Sequence, residues 1–263
     1  MKTKEIGGYF EFDLTHTSKY IYKDGWHYKS ARSAFYAFLL KKGIKEIYFP
    51  KYICNSMILP LKEIGVKVKF YGINHKFYPI ISDYNNEYIL YVNYFGVCDE
   101  SIDEILVNFP NEKIIIDNSQ AFFSKPRYQC AATLYSPRKF LPVPEGGTIL
   151  TSTDLGYSGL SVTSTESIVA LLKRSEEGAK YGYEDFSIAS QKFDELSCDK
   201  ISKFSYSLLN NIDSLNYLEI RRVNFNYLQQ EFKDINLLKL ADDIAPLCYP
   251  LKLLNNTKNI KKN

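Results

Sequence analysis

The stretch Ile114-Ile-Ile-Asp-Asn-Ser-Gln-Ala121 decides the reading of the fold. Three consecutive isoleucines make a short apolar run without polar alternation, the pattern of a strand covered on both faces. The run stops at Asp117, so a carboxylate emerges where the strand ends, followed by the amide of Gln120. In an open α/β sheet that edge is where ligands bind. Asp117 can pair there with a cationic group of a ligand, or it can cap the turn that opens a loop.

Outward from this strand, similar runs recur at 46–50, 66–71, 88–93, 131–135 and 148–151, flanked by Gly, Pro or Asn. Helical patterns fill the early gaps. Over 30–42, Ala31, Ala34, Phe35, Phe38 and Leu39 share one helical face, with Ser30 placed to cap the start and Gly43 the end. Segments 53–64 and 101–107 fill two further crossovers. This alternation predicts an α/β fold with a mainly parallel sheet sandwiched by helices. After Thr151 the strand pattern stops. Helices are expected at 166–180, at 184–196 and, as one long stretch, at 201–232. Segment 244–254, holding Pro246 and Pro250, reads as extended, and the tail from 255 as loose.

The composition agrees with a globular chain and excludes several classes. At 263 residues, 45% hydrophobic and 24% charged, it is neither disordered nor fibrous, and is long enough to bury a core without disulfides or metal. The net charge of +3 comes from the lysines at 252, 258, 261 and 262, so the body has no basic footprint for nucleic acid. Cys54, Cys98, Cys130, Cys198 and Cys248 form no C-x-x-C pair, which suits a reducing cytoplasm. No secretory signal is visible, and no stretch approaches the ~18 apolar residues of a membrane span. His16, His27 and His75 make no metal-ligand spacing.

Two further segments carry chemistry. Ser30-Ala-Arg-Ser-Ala34 opens the first helix, whose free N–H groups can hold a phosphate, with a hydroxyl from Ser33 and a charge from Arg32. It also reads as a plain cap with an exposed arginine. Tyr135-Ser-Pro-Arg-Lys-Phe-Leu-Pro-Val-Pro-Glu-Gly-Gly147 puts Ser136 and Lys139 at a strand end. A lysine beside other cations can lose its proton, attack a carbonyl and form a Schiff base. The same segment also reads as a basic surface loop. Together the three segments supply what pyridoxal 5'-phosphate requires: a phosphate anchor, a carboxylate for the ring nitrogen and a lysine for the aldehyde.

On these residues the chain resembles the fold type I enzymes that use this cofactor, and within them the DegT/StrS family of nucleotide-sugar aminotransferases. The resemblance is clear over 28–153 and weaker to 250. Ser30-Ala-Arg-Ser-Ala34 is similar to the family's Ser-Gly-Thr-Ala phosphate segment, Asp117-Asn-Ser-Gln-Ala121 to its Asp-x-x-Gln-Ala, and Ser136-Pro-Arg-Lys139 with Glu145-Gly-Gly147 to its Ser-x-x-Lys and downstream Glu-Gly-Gly. The resemblance implies Lys139 as the Schiff-base lysine, Asp117 at the ring nitrogen, Gln120 near the ring hydroxyl, and Ser33, Ser136 and Arg32 at the phosphate. Phe49-Pro-Lys-Tyr-Ile-Cys54 looks like the segment that stacks on the ring, with Cys54 at that position and Tyr52 as the alternative.

The resemblance further implies a cytoplasmic homodimer that transfers an amino group, from glutamate, to a nucleotide-linked keto-sugar for surface polysaccharide synthesis, without nucleic-acid or membrane partners. Relatives that remove a sugar hydroxyl carry His where Lys139 stands. The expected organisation is an N-terminal segment 1–27, a cofactor-binding α/β domain 28–195 and an incomplete small C-terminal α/β domain 196–263. Arg32 departs from the family's glycine, and Cys54 from its aromatic or His. The shortness of 196–263 leaves a second reading open, an inactive remnant or partner subunit. A third is a plain α/β binding protein for a phosphorylated metabolite.

Overall fold

The computed structural model describes residues 12, 14, 19–234, 240 and 244–251. Its strands are β1 Trp26–Tyr28, β2 Glu46–Pro50, β3 Lys67–Ile73, β4 Pro79–Ile80, β5 Tyr88–Val92, β6 Ile114–Asn118, β7 Ala132–Tyr135 and β8 Gly147–Leu150. They form one sheet in the order β1-β8-β7-β6-β5-β2-β3-β4. The helices are α1 Ala31–Lys42, α2 Leu59–Ile64, α3 Asp99–Asn108, α4 Val169–Glu176, α5 Ala179–Lys192, α6 Lys203–Asn211 and α7 Ser214–Phe232.

The isoleucine strand lies near the centre. β6 runs parallel to both β5 and β7, and every residue of it is buried. β2 is parallel to β5 and β3, with α2 and α3 in the crossovers that parallel pairing requires. The other strands run against their neighbours: β8 against β7, β1 against β8, and β4 against β3. The β7–β8 connection, 136–146, contains only a short 3-10 turn, so β8 returns antiparallel. β1 shows no periodicity in the sequence because it is three residues long.

α1 follows its sequence pattern. Ser30 is extended and its hydroxyl accepts the Ser33 N–H, while Gly43 closes the helix at φ 59. Its apolar face, Ala34, Phe35, Phe38 and Leu39, packs into a core with Ile47, Ile89, Ile115 and Ile149. A second core joins α6 and α7 to the sheet, with Phe122, Tyr135, Phe140, Ile201, Leu209 and Ala245 at its centre.

The C-terminal third differs from expectation in three places. The break between the first two helices falls at Gly178, at φ 105, so residues 181–183 lie inside α5 rather than in a gap. The long stretch 201–232 is two helices. Ile212 turns extended at ψ 129 and the Asp213 carboxylate caps the Leu215 N–H at 3.2 Å. Residues 244–251 are irregular rather than a strand, and Pro246 and Pro250 offer no N–H to a ladder. The rest of the expected extended segment, the basic tail and most of 1–27 lie outside the described residues.

Candidate active site

Four adjacent parallel strands, β2, β5, β6 and β7, end on the same edge of the sheet, and each releases a loop carrying polar or aromatic side chains. Tyr52 and Cys54 follow β2, Tyr94 and Phe95 follow β5, Asp117 ends β6 with Gln120 beyond it, and Ser136 and Lys139 follow β7. Tyr52, Ile53, Cys54, Tyr94, Phe95 and Gln120 line a cleft of about 250 Å³. Residues distant in sequence therefore meet because consecutive crossovers return the chain to one edge.

One wall of this cleft is aromatic. Tyr52, largely exposed, stacks on the buried Tyr94 at 5.5 Å between ring centroids, and Phe77 stacks on Tyr94, also at 5.5 Å. The Tyr94 hydroxyl is buried without a hydrogen-bond partner. Burial pushes it above the ordinary phenol range, and the negative charge of Asp117 adds to the rise. Asp117 is itself buried. One oxygen accepts the Ser119 N–H at 2.8 Å, and among the described residues the other has no hydrogen-bond partner.

Gln120 is oriented by its neighbour. Its side-chain carbonyl accepts the Phe95 N–H at 2.9 Å, which leaves the amide NH₂ as a donor. Phe95 pays for this contact with a left-handed backbone, φ 57, and Gly96 follows at φ 80. A Cβ on Gly96 would stand 2.7 Å from the Gln120 carbonyl oxygen, so only glycine lets the two loops cross.

The start of α1 lies against the start of β8. Gly146 donates to the Lys29 carbonyl at 3.0 Å, and a Cβ on Gly147 would fall 2.0 Å from the Ala31 nitrogen. The second glycine of Glu145-Gly-Gly147 is thus a packing requirement. Glu145 is buried and accepts from Ser164 at 2.9 Å, Ser167 at 3.1 Å and the Ser202 N–H at 3.3 Å. It ties β8 to the start of α6. Ser33 is buried at the mouth of α1, its hydroxyl 3.0 Å from that of Ser30. The half-buried Ser136 hydroxyl has no hydrogen bond among the described residues.

Cations gather beside this helix start. The Arg32 guanidinium donates to the Phe193 carbonyl at 2.8 Å and pairs with Asp194, while its Nε is buried without a partner. Arg138 lies over the Phe193 ring at 4.1 Å and donates to Ser190 at 3.3 Å. Burial pushes Arg138 down to about 10, with Arg32 acting in the same direction and Glu145 against it. Lys139 is exposed, and among the described residues its ammonium has no hydrogen bond or ion pair. Cys54 feels this field. The Ser56 hydroxyl, 3.1 Å away, lowers its thiol pKa most, and the charges of Lys139 and Arg32 lower it further.

Lys139, Arg32 and Cys54 thus share one electrostatic neighbourhood, and Cys54, Tyr52 and Gln120 share the cleft. Neither the place of Tyr94 on the cleft nor the anchoring of Arg138 and Glu145 was evident in the sequence. The Glu-Gly-Gly spacing was the only signal for Glu145. Among the described residues no group of three or more His, Cys, Asp or Glu could hold a metal ion, and no helix is long and apolar enough to cross a membrane.

No protein-family model matches the sequence, and no curated protein matches it. Solved structures share its fold. NtdA from Bacillus subtilis, with bound cofactor PMP, superposes with a TM-score of 0.54 at 16% identity, over 90% of this chain and 56% of that one. The aminotransferase TlmJ from Streptoalloteichus hindustanus gives 0.52 at 11% identity, over 85% and 63%. The sugar aminotransferase CalS13 from Micromonospora echinospora gives 0.50 at 12% identity, over 85% and 66%. The chain therefore spans less than two thirds of the length of these proteins.

Proposed function

We propose that the chain is a pyridoxal-phosphate-dependent aminotransferase that moves an amino group, from glutamate, onto a nucleotide-linked keto-sugar destined for surface polysaccharide. The observation that carries this reading is the convergence of Asp117, Gln120, Ser136 and Lys139 on one sheet edge beside the start of α1.

The residues fit the cofactor. A planar ring suits a cleft walled by Tyr52 and Tyr94, which makes Tyr52 rather than Cys54 the better stacking partner. The free oxygen of Asp117 suits a ring N–H, and the NH₂ of Gln120 suits the ring hydroxyl. Ser33, Ser136 and the α1 N-terminus suit the phosphate, with the unpartnered Nε of Arg32 as a further donor. When bound, the cofactor supplies an electron sink for amine chemistry. Lys139 would hold the group through Nζ and would serve as the acid/base that moves a proton at the reacting carbon. Asp117 keeps the ring nitrogen protonated. Solved neighbours described as aminotransferases support the reading at the level of fold. A homodimer follows from the family resemblance.

The test is to mix the chain with pyridoxal 5'-phosphate, reduce with borohydride and map the adduct by mass spectrometry. Capture at Lys139, lost in Lys139→Ala, is expected; a retained adduct in that variant sinks the assignment.

A further inference from the structure

One side chain that ties several segments near the cleft belongs to none of its strand ends. Arg221, on α7, donates Nη2 to the Lys139 carbonyl at 3.1 Å and Nη1 to the Leu247 carbonyl at 3.0 Å and the Pro246 carbonyl at 3.5 Å. Its guanidinium lies 4.6 Å over the Phe140 ring, which fixes the plane of the fork. The network continues on the far side. Leu247 donates its N–H to the Phe95 carbonyl at 2.8 Å, and Phe95 donates its own to the Gln120 side chain at 2.9 Å. Pro246 also crosses so close to Gly96 that a Cβ there would lie 3.2 Å from the Pro246 Cα. The segment around 246–249 is held on α7 at its other end, where Tyr249 donates to Gln229 at 2.8 Å and packs on Phe225 at 5.0 Å between centroids.

We propose that Arg221 is a positioning residue of the active site, which fixes Lys139 and Gln120 relative to each other by bridging the 3-10 turn of Lys139 to the strap that holds Phe95. The role rests on the reading of Lys139 as the lysine that carries the cofactor. Lys139 is exposed and its ammonium has no hydrogen bond or ion pair among the described residues, so the placement of Nζ depends on its backbone turn. That turn is a single short 3-10 element, and the Lys139 carbonyl lies at its end, where no following helical turn provides a donor. Arg221 provides one from α7. Phe95 holds a left-handed conformation at φ 57, a geometry that persists only where surrounding contacts over-determine it, and the strap supplies one of those contacts. Only arginine presents a planar fork of five donors able to reach two chain segments at once; a lysine at 221 would satisfy one carbonyl and release the other.

The experiment separates positioning from mere stapling by comparing binding with capture. The 263-residue wild type, Arg221→Met and Arg221→Lys are mixed with 4-deoxypyridoxine phosphate, which has the ring and phosphate but no aldehyde, and its affinity is measured. The same proteins are then mixed with pyridoxal 5'-phosphate, and the rate of borohydride-fixed capture at Lys139 is read by mass spectrometry. Positioning predicts an affinity within about twofold of wild type and capture slowed about tenfold or more in Arg221→Met, with partial recovery in Arg221→Lys. Amide exchange at Phe95 and Leu247 is expected to accelerate in Arg221→Met, while that of Ile115 in the sheet stays unchanged. Affinity and capture falling together would overturn the proposal, as would unchanged capture. If the wild type itself captures no aldehyde at Lys139, the functional reading fails. The exchange at Phe95 then decides the anchoring by itself, acceleration supporting it and no change overturning it. Should Arg221→Met not fold, Arg221→Lys carries the same comparison, since it keeps the charge and the apolar stem.

Discussion

Cys54 shows how one residue reports on its surroundings. It sits on the cleft with Ser56 beside it, and the Ser56 hydroxyl, Lys139 and Arg32 all favour its thiolate. The other four cysteines are shifted the opposite way. Burial pushes Cys98 and Cys130 up to about 12, and raises Cys198 and Cys248 as well. Since the thiolate is the nucleophile, iodoacetamide at neutral pH should label Cys54 first, ahead of Cys248, which is also exposed, by roughly tenfold. The rate at Cys54 should level off at a lower pH than at the others, and Lys139→Ala should slow it by removing one cation. Mass spectrometry of partly labelled protein checks this, and Cys248 reacting as fast as Cys54 would refute it. The places of Asp117, Ser136 and Lys139 at strand ends and of Ser33 at a helix start were legible in the sequence, because apolar runs and caps mark those ends. Tyr94 and Arg221 were not, since their places depend on packing between segments that no local pattern connects.

At the scale of elements, the β1–β8 pair closes one side of the sheet and depends on a buried imidazole. His27 Nε2 lies 3.2 Å from the Lys23 carbonyl and Nδ1 lies 3.1 Å from the Thr148 hydroxyl, which is 2.6 Å from the Tyr20 hydroxyl. One pattern satisfies all four groups: Tyr20 donates to Thr148, Thr148 donates to Nδ1, and Nε2–H donates to Lys23. This pattern needs the neutral ring. Burial accordingly depresses the His27 pKa below its ordinary 6.5. Because the folded value is the lower one, the stability involved is fully present above about pH 6.5 and is lost as pH falls through the depressed value, by up to about 1.4 kcal/mol per pH unit. Urea midpoints measured at pH 7 and pH 5 should therefore fall further apart in the wild type than in His27→Gln; equal losses would refute the role of His27. Elements themselves were legible where caps and faces agreed, as in α1. They were misread where one side chain overrides the pattern, as Asp213 does by starting a new helix inside a continuous apolar stripe.

On the scale of the whole molecule, the buried residues form two separate cores. The first is built on the central strands and α1, and its short apolar strand runs made it visible in the sequence. The second is aromatic and draws on residues from Tyr20 to Ala245, so no window of sequence contains it. Phe122 is its centre. It is fully buried, lies edge-on to Tyr22 at 5.4 Å and to Phe123 at 5.1 Å, and stacks on Phe140 at 5.7 Å. Phe140 follows Lys139, also meets Phe123 edge-on at 5.8 Å and carries Arg221 over its ring, so Phe122 supports the lysine turn through Phe140. Removing that ring opens a cavity that well-packed neighbours cannot fill, and Phe122→Ala should cost about 3–5 kcal/mol. The loss should also spread unevenly. If α6, α7 and the strap are attached through this core, amide exchange at Leu209, Leu141 and Leu247 should rise more than at Ile115 or Leu90 in the sheet. Capture of pyridoxal 5'-phosphate at Lys139 should slow in parallel. A urea titration with site-resolved exchange decides the matter: a uniform rise across both cores would mean that the molecule unfolds only as one unit, and that the aromatic core has no separate hold on the site.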